Sequence, residues 1–240
     1  MSMNSVSSFR FTTGVLGYPI LFVLIIWIVF WAELRFGLDL KIYGIYPRQF
    51  EGFIGVFTSV FIHGSFSHLC NNSIPLFILS VCLFYFYKPV AWKVIFFGVI
   101  ISGIITWILG KPAYHIGASG LIYVLMSFLL FKGLISKHYR LIALSFTVIF
   151  LYGGMIWYIF PVKAKMSWEG HLAGFVTGLI FAFLFKIMPI RDKFSWEEED
   201  YDENEDLFLK QFDADGNFIE LSDNSKEKEV KINYKFKSED

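Results

Sequence analysis

The chain has 240 residues, of which 55% are apolar, 20% aromatic and 18% charged. Soluble domains run at roughly half apolar and about a quarter charged, so an ordinary soluble enzyme is excluded. Two cysteines exclude a disulfide scaffold, and the lack of a basic arm or stripe excludes a nucleic-acid binder.

The formal net charge of zero is a sum of opposites. Residues 189–240 hold 8 Lys+Arg and 17 Asp+Glu, whereas residues 1–188 hold 13 and 4. Apolar runs recur along 15–34, 66–87, 92–110, 119–131, 141–160 and 169–188, most of them near the roughly 20 residues a helix needs to cross a bilayer. They predict an all-α polytopic membrane protein with a six-helix bundle over 14–190, a short N-terminal cytoplasmic segment at 1–13 and an acidic tail at 191–240. No small-residue cleavage motif follows Trp31 and Ala32, so the first run reads as a span rather than a signal peptide.

An inside N-terminus puts Arg10, Lys88, Lys93, Lys132, Lys137, Arg140, Lys186, Arg191 and Lys193 on the cytoplasmic side. Arg35, Lys41, Arg48, Lys111, Lys163 and Lys165 then lie outside, a positive-inside bias of 9 to 6. Both termini are expected in the cytoplasm, and the composition suits a bacterial inner (plasma) membrane.

On the second helix, His68 and Asn72 are spaced i, i+4 and share one face. They read either as interhelical glue or as two donors aimed at one point. On the same helix, Cys70 and Cys82 would lie about 18 Å apart, beyond bridging distance.

The fourth run is too short. It ends at Lys132 after about 13 residues, roughly 20 Å of helix against a ~30 Å hydrocarbon core. Its start is therefore expected inside the membrane, fed by irregular backbone from Lys111 to Ala118. Such backbone survives only buried in protein or lining a wet cavity. Ser119, in Gly117-Ala118-Ser119-Gly120, opens this helix as either an N-cap or a nucleophile. His115, four residues earlier, is expected to donate to a backbone carbonyl, with a competing base as the alternative. His138 reads as a surface residue.

The last run carries His171 within a stripe formed by Gly170, Gly174 and Gly178. The stripe permits close approach of another helix. His171 is either incidental to that interface or a base placed by it. In the tail, Asp213 to Asn217 suggests a turn with positive φ at glycine. A calcium loop fits poorly, because its glycine comes two places early and position twelve is Asn224.

With His63-Gly64 and His68-x-x-x-Asn72, Gly117-Ala118-Ser119-Gly120 with Tyr123, and Gly170-His171-x-x-Gly174-x-x-x-Gly178, the chain resembles the rhomboid intramembrane serine proteases over about residues 14–188. The resemblance implies Ser119 as nucleophile and His171 as general base and then acid. It implies His68 and Asn72 as oxyanion donors with the Ser119 N–H. Tyr123 would orient His171, Gly117, Gly120 and Gly174 would support the site, and His63 would be structural. It further implies transmembrane protein substrates held in the lipid bilayer, small residues at the scissile bond, and no metal or organic cofactor. The alternative is a non-proteolytic relative that binds transmembrane helices. One departure is the Trp-Arg pair of many family members, whose neighbourhood here holds Phe53-Ile54-Gly55.

Overall fold

The computed structural model describes residues 11–162 and 166–186, together with 202, 206, 208–213 and 215–219. Expectations about Arg10, Lys163, Lys165, Arg191 and Lys193 lie outside the described residues, as does the acidic run from Glu197 to Asp206 except for Asp202 and Asp206. The chain divides into two compact units, 1–190 and 191–240.

The first unit is all-helical, with no named strand among the described residues. Helix α1 (Thr13–Phe36) is followed by short helical turns over 40–61, which include α2 (Gly55–Thr58). Then come α3 (Phe66–Phe86), α4 (Lys88–Leu109), α5 (Ser119–Ile135), α6 (Tyr139–Tyr152) and α7 (Trp168–Leu184). Four helical stretches are long and apolar enough to cross a membrane: Thr13–Phe36, Phe66–Phe86, Lys88–Leu109 and Tyr139–Ile159. Glu51–Phe61, Ser119–Ile135 and Trp168–Leu184 are shorter apolar helices.

Helix α1 exposes Leu21, Leu24, Ile28 and Trp31, as expected where the surrounding solvent is lipid rather than water. It ends at Gly37, whose φ of 61° is left-handed and whose N–H reaches the Glu33 carbonyl. The C-terminus of α4 is closed from outside the helix, because the Arg48 guanidinium donates to the Ile108 and Gly110 carbonyls at 3.1 and 2.8 Å.

Helix α5 is the axis of the bundle. Every residue from Leu121 to Leu130 is buried, and α3, α4, α6 and α7 all pack on it. A helix apolar on every side is stable there because protein surrounds it. Its length corrects the sequence expectation, since it continues past Lys132 to Ile135. The Lys132 ammonium donates to the Ala182 carbonyl at 3.0 Å, so the charge lies along α7 instead of ending α5. At 17 residues, or about 25 Å, α5 is still shorter than a bilayer core.

The predicted span 141–160 is two elements, α6 and a 3₁₀ segment, Gly153–Ile159. His138 is the N-cap of α6, accepting from the Arg140 N–H.

Gly174 and Gly178 face α5 at backbone contact. A Cβ on Gly174 would collide with the Gly120 carbonyl, and one on Gly178 with Ser127 Oγ and the Val124 carbonyl. Gly178→Val is therefore expected to cost about 1–3 kcal/mol, since a backbone oxygen cannot rotate away. The check is the thermal unfolding midpoint in detergent.

In the second unit, Phe212 and Phe218 bridge across a turn in which Gly216 has φ 81°, as its Asp-Gly sequence predicts. The Asp213 carboxylate accepts the Asn217 backbone and side-chain N–H groups and the Asp215 N–H. The Asn217 bonds lead in holding its pKa below the ordinary carboxylate value.

Candidate active site

The segment from Lys111 to Ala118 solves a backbone problem. It has no helix to satisfy its polar groups, and the first loop supplies partners. His115 exchanges both backbone hydrogen bonds with Ile45, at 2.8 and 3.0 Å, and the Gly117 N–H reaches the Ser59 carbonyl at 2.9 Å. The Ala118 N–H reaches His63 Nε2 at 3.4 Å, while His63 Nδ1 lies 3.4 Å from the Phe61 carbonyl. One tautomer serves both contacts: Nδ1–H donates and Nε2 accepts. The half of the segment nearest Ser119 is thus enclosed by protein, with His115 and Ala118 buried, whereas Lys111, Pro112, Ala113 and Tyr114 are exposed.

Gly117 has φ 111°, a region side chains rarely adopt. A Cβ there would lie 2.7 Å from the His68 ring and 3.3 Å from Asn72 Nδ2. The bare glycine therefore forms the floor of a corner shared with those two side chains. His68 sits in the first turn of α3, whose N-cap Ser65 accepts its N–H. Asn72 follows one turn later and is buried, with Nδ2 lacking any protein partner. An orphaned buried amide costs about 1–3 kcal/mol, and such a group asks for a functional explanation. Asn71 is exposed and pairs with Ser67 at 3.5 Å.

Ser119 is the first residue of α5, so its N–H has no intrahelical acceptor by position. Tyr123, one turn later, is stacked on His171, with ring centroids 4.4 Å apart and planes 15° from parallel. The imidazole thus lies over the face of α5 that carries Ser119 and Tyr123. His171 Nδ1 is 2.9 Å from the Tyr158 carbonyl. Because that acceptor requires Nδ1–H, the neutral ring presents Nε2 as its free lone pair. The Tyr123 hydroxyl is tied to the Met155 carbonyl at 2.6 Å. Tyr123→Phe keeps the stack and loses this anchor, so thermal unfolding should register a loss of about 1 kcal/mol.

A cavity of about 40 Å³ lies beside the serine, lined by Ser119, Gly117, Gly120, His115, Ser102, Thr106 and Ser167 among others. Its lining mixes these hydroxyls and the imidazole with apolar side chains such as Val56 and Val99, and it has room for about two or three waters. Here Ser102 and Thr106 already donate to carbonyls one turn back, at 2.6 and 2.7 Å.

Gly120 and Tyr123 therefore meet Gly174 and His171 along the α5–α7 seam, with Ser119 and Gly117 lining the cavity at the start of α5. His63, His68 and Asn72 approach the same Gly117–Ser119 turn from the other side. Side-chain patterns gave no sign of Tyr158, which acts through its carbonyl, or of Ser167, which caps α7. Glu169 is buried in the first turn of α7 with Oε2 unpartnered, and an acidic residue in a first turn is a signal the sequence does carry.

The Rhomboid domain family matches residues 51–187, which include every one of these groups. An uncharacterized protein of Mycobacterium bovis is 32% identical over 179 residues, covering 68% of this chain and 72% of its own length. An uncharacterized protein of Mycobacterium tuberculosis matches to the same extent. One of Mycobacterium leprae is 31% identical over 147 residues, 54% of this chain and 55% of its own.

Proposed function

The chain belongs to the rhomboid family, and we propose that within it this protein is an active intramembrane serine endopeptidase. It is an integral multi-pass membrane protein. In this reading α1, α3, α4, α5, the α6 segment and α7 are its six crossing helices over 14–190. Segment 1–13 and the acidic tail 191–240 are cytoplasmic, in a bacterial inner membrane. The substrates are transmembrane proteins cleaved in or near their helices.

The observation that carries the proposal is the state of His171. Its Nδ1–H is held by the Tyr158 carbonyl and its ring by Tyr123, leaving Nε2 as a base beside the first turn of α5. Serine is inert at its free pKa and needs such a base. Ser119 Oγ attacks the scissile carbonyl carbon while its proton passes to His171 Nε2. The carbonyl oxygen becomes an oxyanion in the Gly117 corner, where His68, Asn72 Nδ2 and the Ser119 N–H donate to it. His171 then returns the proton to the leaving amine as the C–N bond breaks, which leaves an acyl-serine. A water, losing a proton to His171 Nε2, attacks the ester carbon; the C–Oγ bond breaks, His171 returns that proton to Ser119 Oγ, and the new C-terminal carboxylic acid leaves. The sequence of steps requires no metal or organic cofactor. A backbone carbonyl takes the orienting place that a carboxylate holds in a triad.

The test uses purified protein in liposomes with transmembrane substrates bearing Ala- or Gly-rich sites. Product masses are read for wild type and for Ser119→Ala. Cleavage by wild type alone is expected. No cleavage across several substrates would shift the assignment to a helix-binding, non-proteolytic role.

A further inference from the structure

We propose that His115 is a positioning residue that clamps the segment carrying Ser119 to the start of the helix carrying His171. The inference rests on the protease reading above. No motif of that reading includes His115, yet the ring is buried and both its nitrogens are engaged.

Nε2 lies 3.0 Å from the Lys111 carbonyl. A carbonyl only accepts, so Nε2 carries the proton and Nδ1 holds the lone pair. Nδ1 in turn contacts Ser167 Oγ, which must then be the donor. Ser167 is the N-cap of α7, and the same oxygen accepts the Gly170 N–H at 3.4 Å. The chain of bonds therefore has one consistent direction: Gly170 N–H to Ser167 Oγ, Ser167 O–H to His115 Nδ1, and His115 Nε2–H to the Lys111 carbonyl. Its ends are the residue before His171 and the turn that leads into Ser119. The backbone of His115 is paired with Ile45 as well, so one residue joins the first loop, the nucleophile's approach and the base's helix. With its lone pair occupied, His115 is no rival base for Ser119.

Proximity explains why such a clamp matters. A misplacement of about 1 Å between reacting groups can cost roughly 100-fold in rate. Three variants separate positioning from bulk structure. His115→Phe keeps the ring and removes both bonds. His115→Asn retains an acceptor near Nδ1 for Ser167. Ser167→Ala removes the partner. The expected result with a transmembrane substrate is a fall in kcat of about 10- to 100-fold for His115→Phe, with KM unchanged. Ser167→Ala should behave alike, the double variant should be no worse than either, and His115→Asn should recover most of the rate. Hydrogen exchange supplies a readout independent of turnover: residues 111–118 and 167–171 should lose protection together in both single variants.

An active wild type whose His115→Phe and Ser167→Ala variants keep kcat within about twofold would overturn the clamp. So would a rise in KM alone, or loosening of one segment without the other. If His115→Phe does not fold, His115→Asn and Ser167→Ala decide by the same readouts. An inert wild type in which the two segments still loosen together would overturn the protease reading, and with it the catalytic role of His115, while leaving the mechanical link intact.

Discussion

Replacing His171 with alanine is expected to lower kcat for a transmembrane substrate by about 10⁴-fold or more. The ring is fixed twice, by the Tyr158 carbonyl at Nδ1 and by the Tyr123 stack, so the base is held in one orientation beside the first turn of α5. His115, the nearest alternative in sequence, has both nitrogens committed. His63 is likewise committed, between Phe61 and Ala118. Initial rates in proteoliposomes give the measurement. A loss below about tenfold would mean that the proton leaves Ser119 by another route.

The second large effect belongs to Asn72. Asn72→Ala is expected to reduce kcat by about 10²–10³-fold with little change in KM, the usual cost of one oxyanion donor. Nδ2 is buried and unpartnered beside Gly117, so the ground state gains nothing from it and an oxyanion there gains a bond. The same fact reverses the usual sign for stability. Asn72→Leu, of similar shape and with no orphaned donor, should unfold at or above the wild-type temperature while remaining catalytically impaired. An Asn72→Leu protein that unfolds several degrees lower would show that the amide is structural glue after all.

The apolar runs read as helices because burial in lipid or protein demands long apolar segments, and α1, α3, α4 and α7 lie close to their expected bounds. The glycines at 174 and 178 read as a close-packing stripe because backbone contact leaves no space for a Cβ. The short helix reads from its length alone, and of the irregular approach expected before it only His115 and Ala118 are buried. Other features escaped for physical reasons. Lys132 looks like a helix stop, but its long chain lets the charge reach the Ala182 carbonyl while the helix continues. The split of 139–159 into α6 and a 3₁₀ segment leaves the hydropathy unaltered. Tyr158 and Met155 contribute carbonyls, and no side-chain pattern reports a carbonyl. The pairing of the first loop with residues 115–118 is long-range backbone bonding, which needs the fold before it can be seen.

The central claim is that Ser119 is a nucleophile activated by His171, and covalent trapping tests it most directly. Protein in liposomes would be treated with a fluorophosphonate, whose phosphorus is attacked by an activated serine oxygen with loss of fluoride. The modified residue would then be located by peptide mass spectrometry. The account predicts an adduct on Ser119 in wild type and a sharply reduced yield in His171→Ala. An unmodified Ser119 in a preparation that still cleaves substrate, or an adduct on another residue that tracks with cleavage, would contradict it.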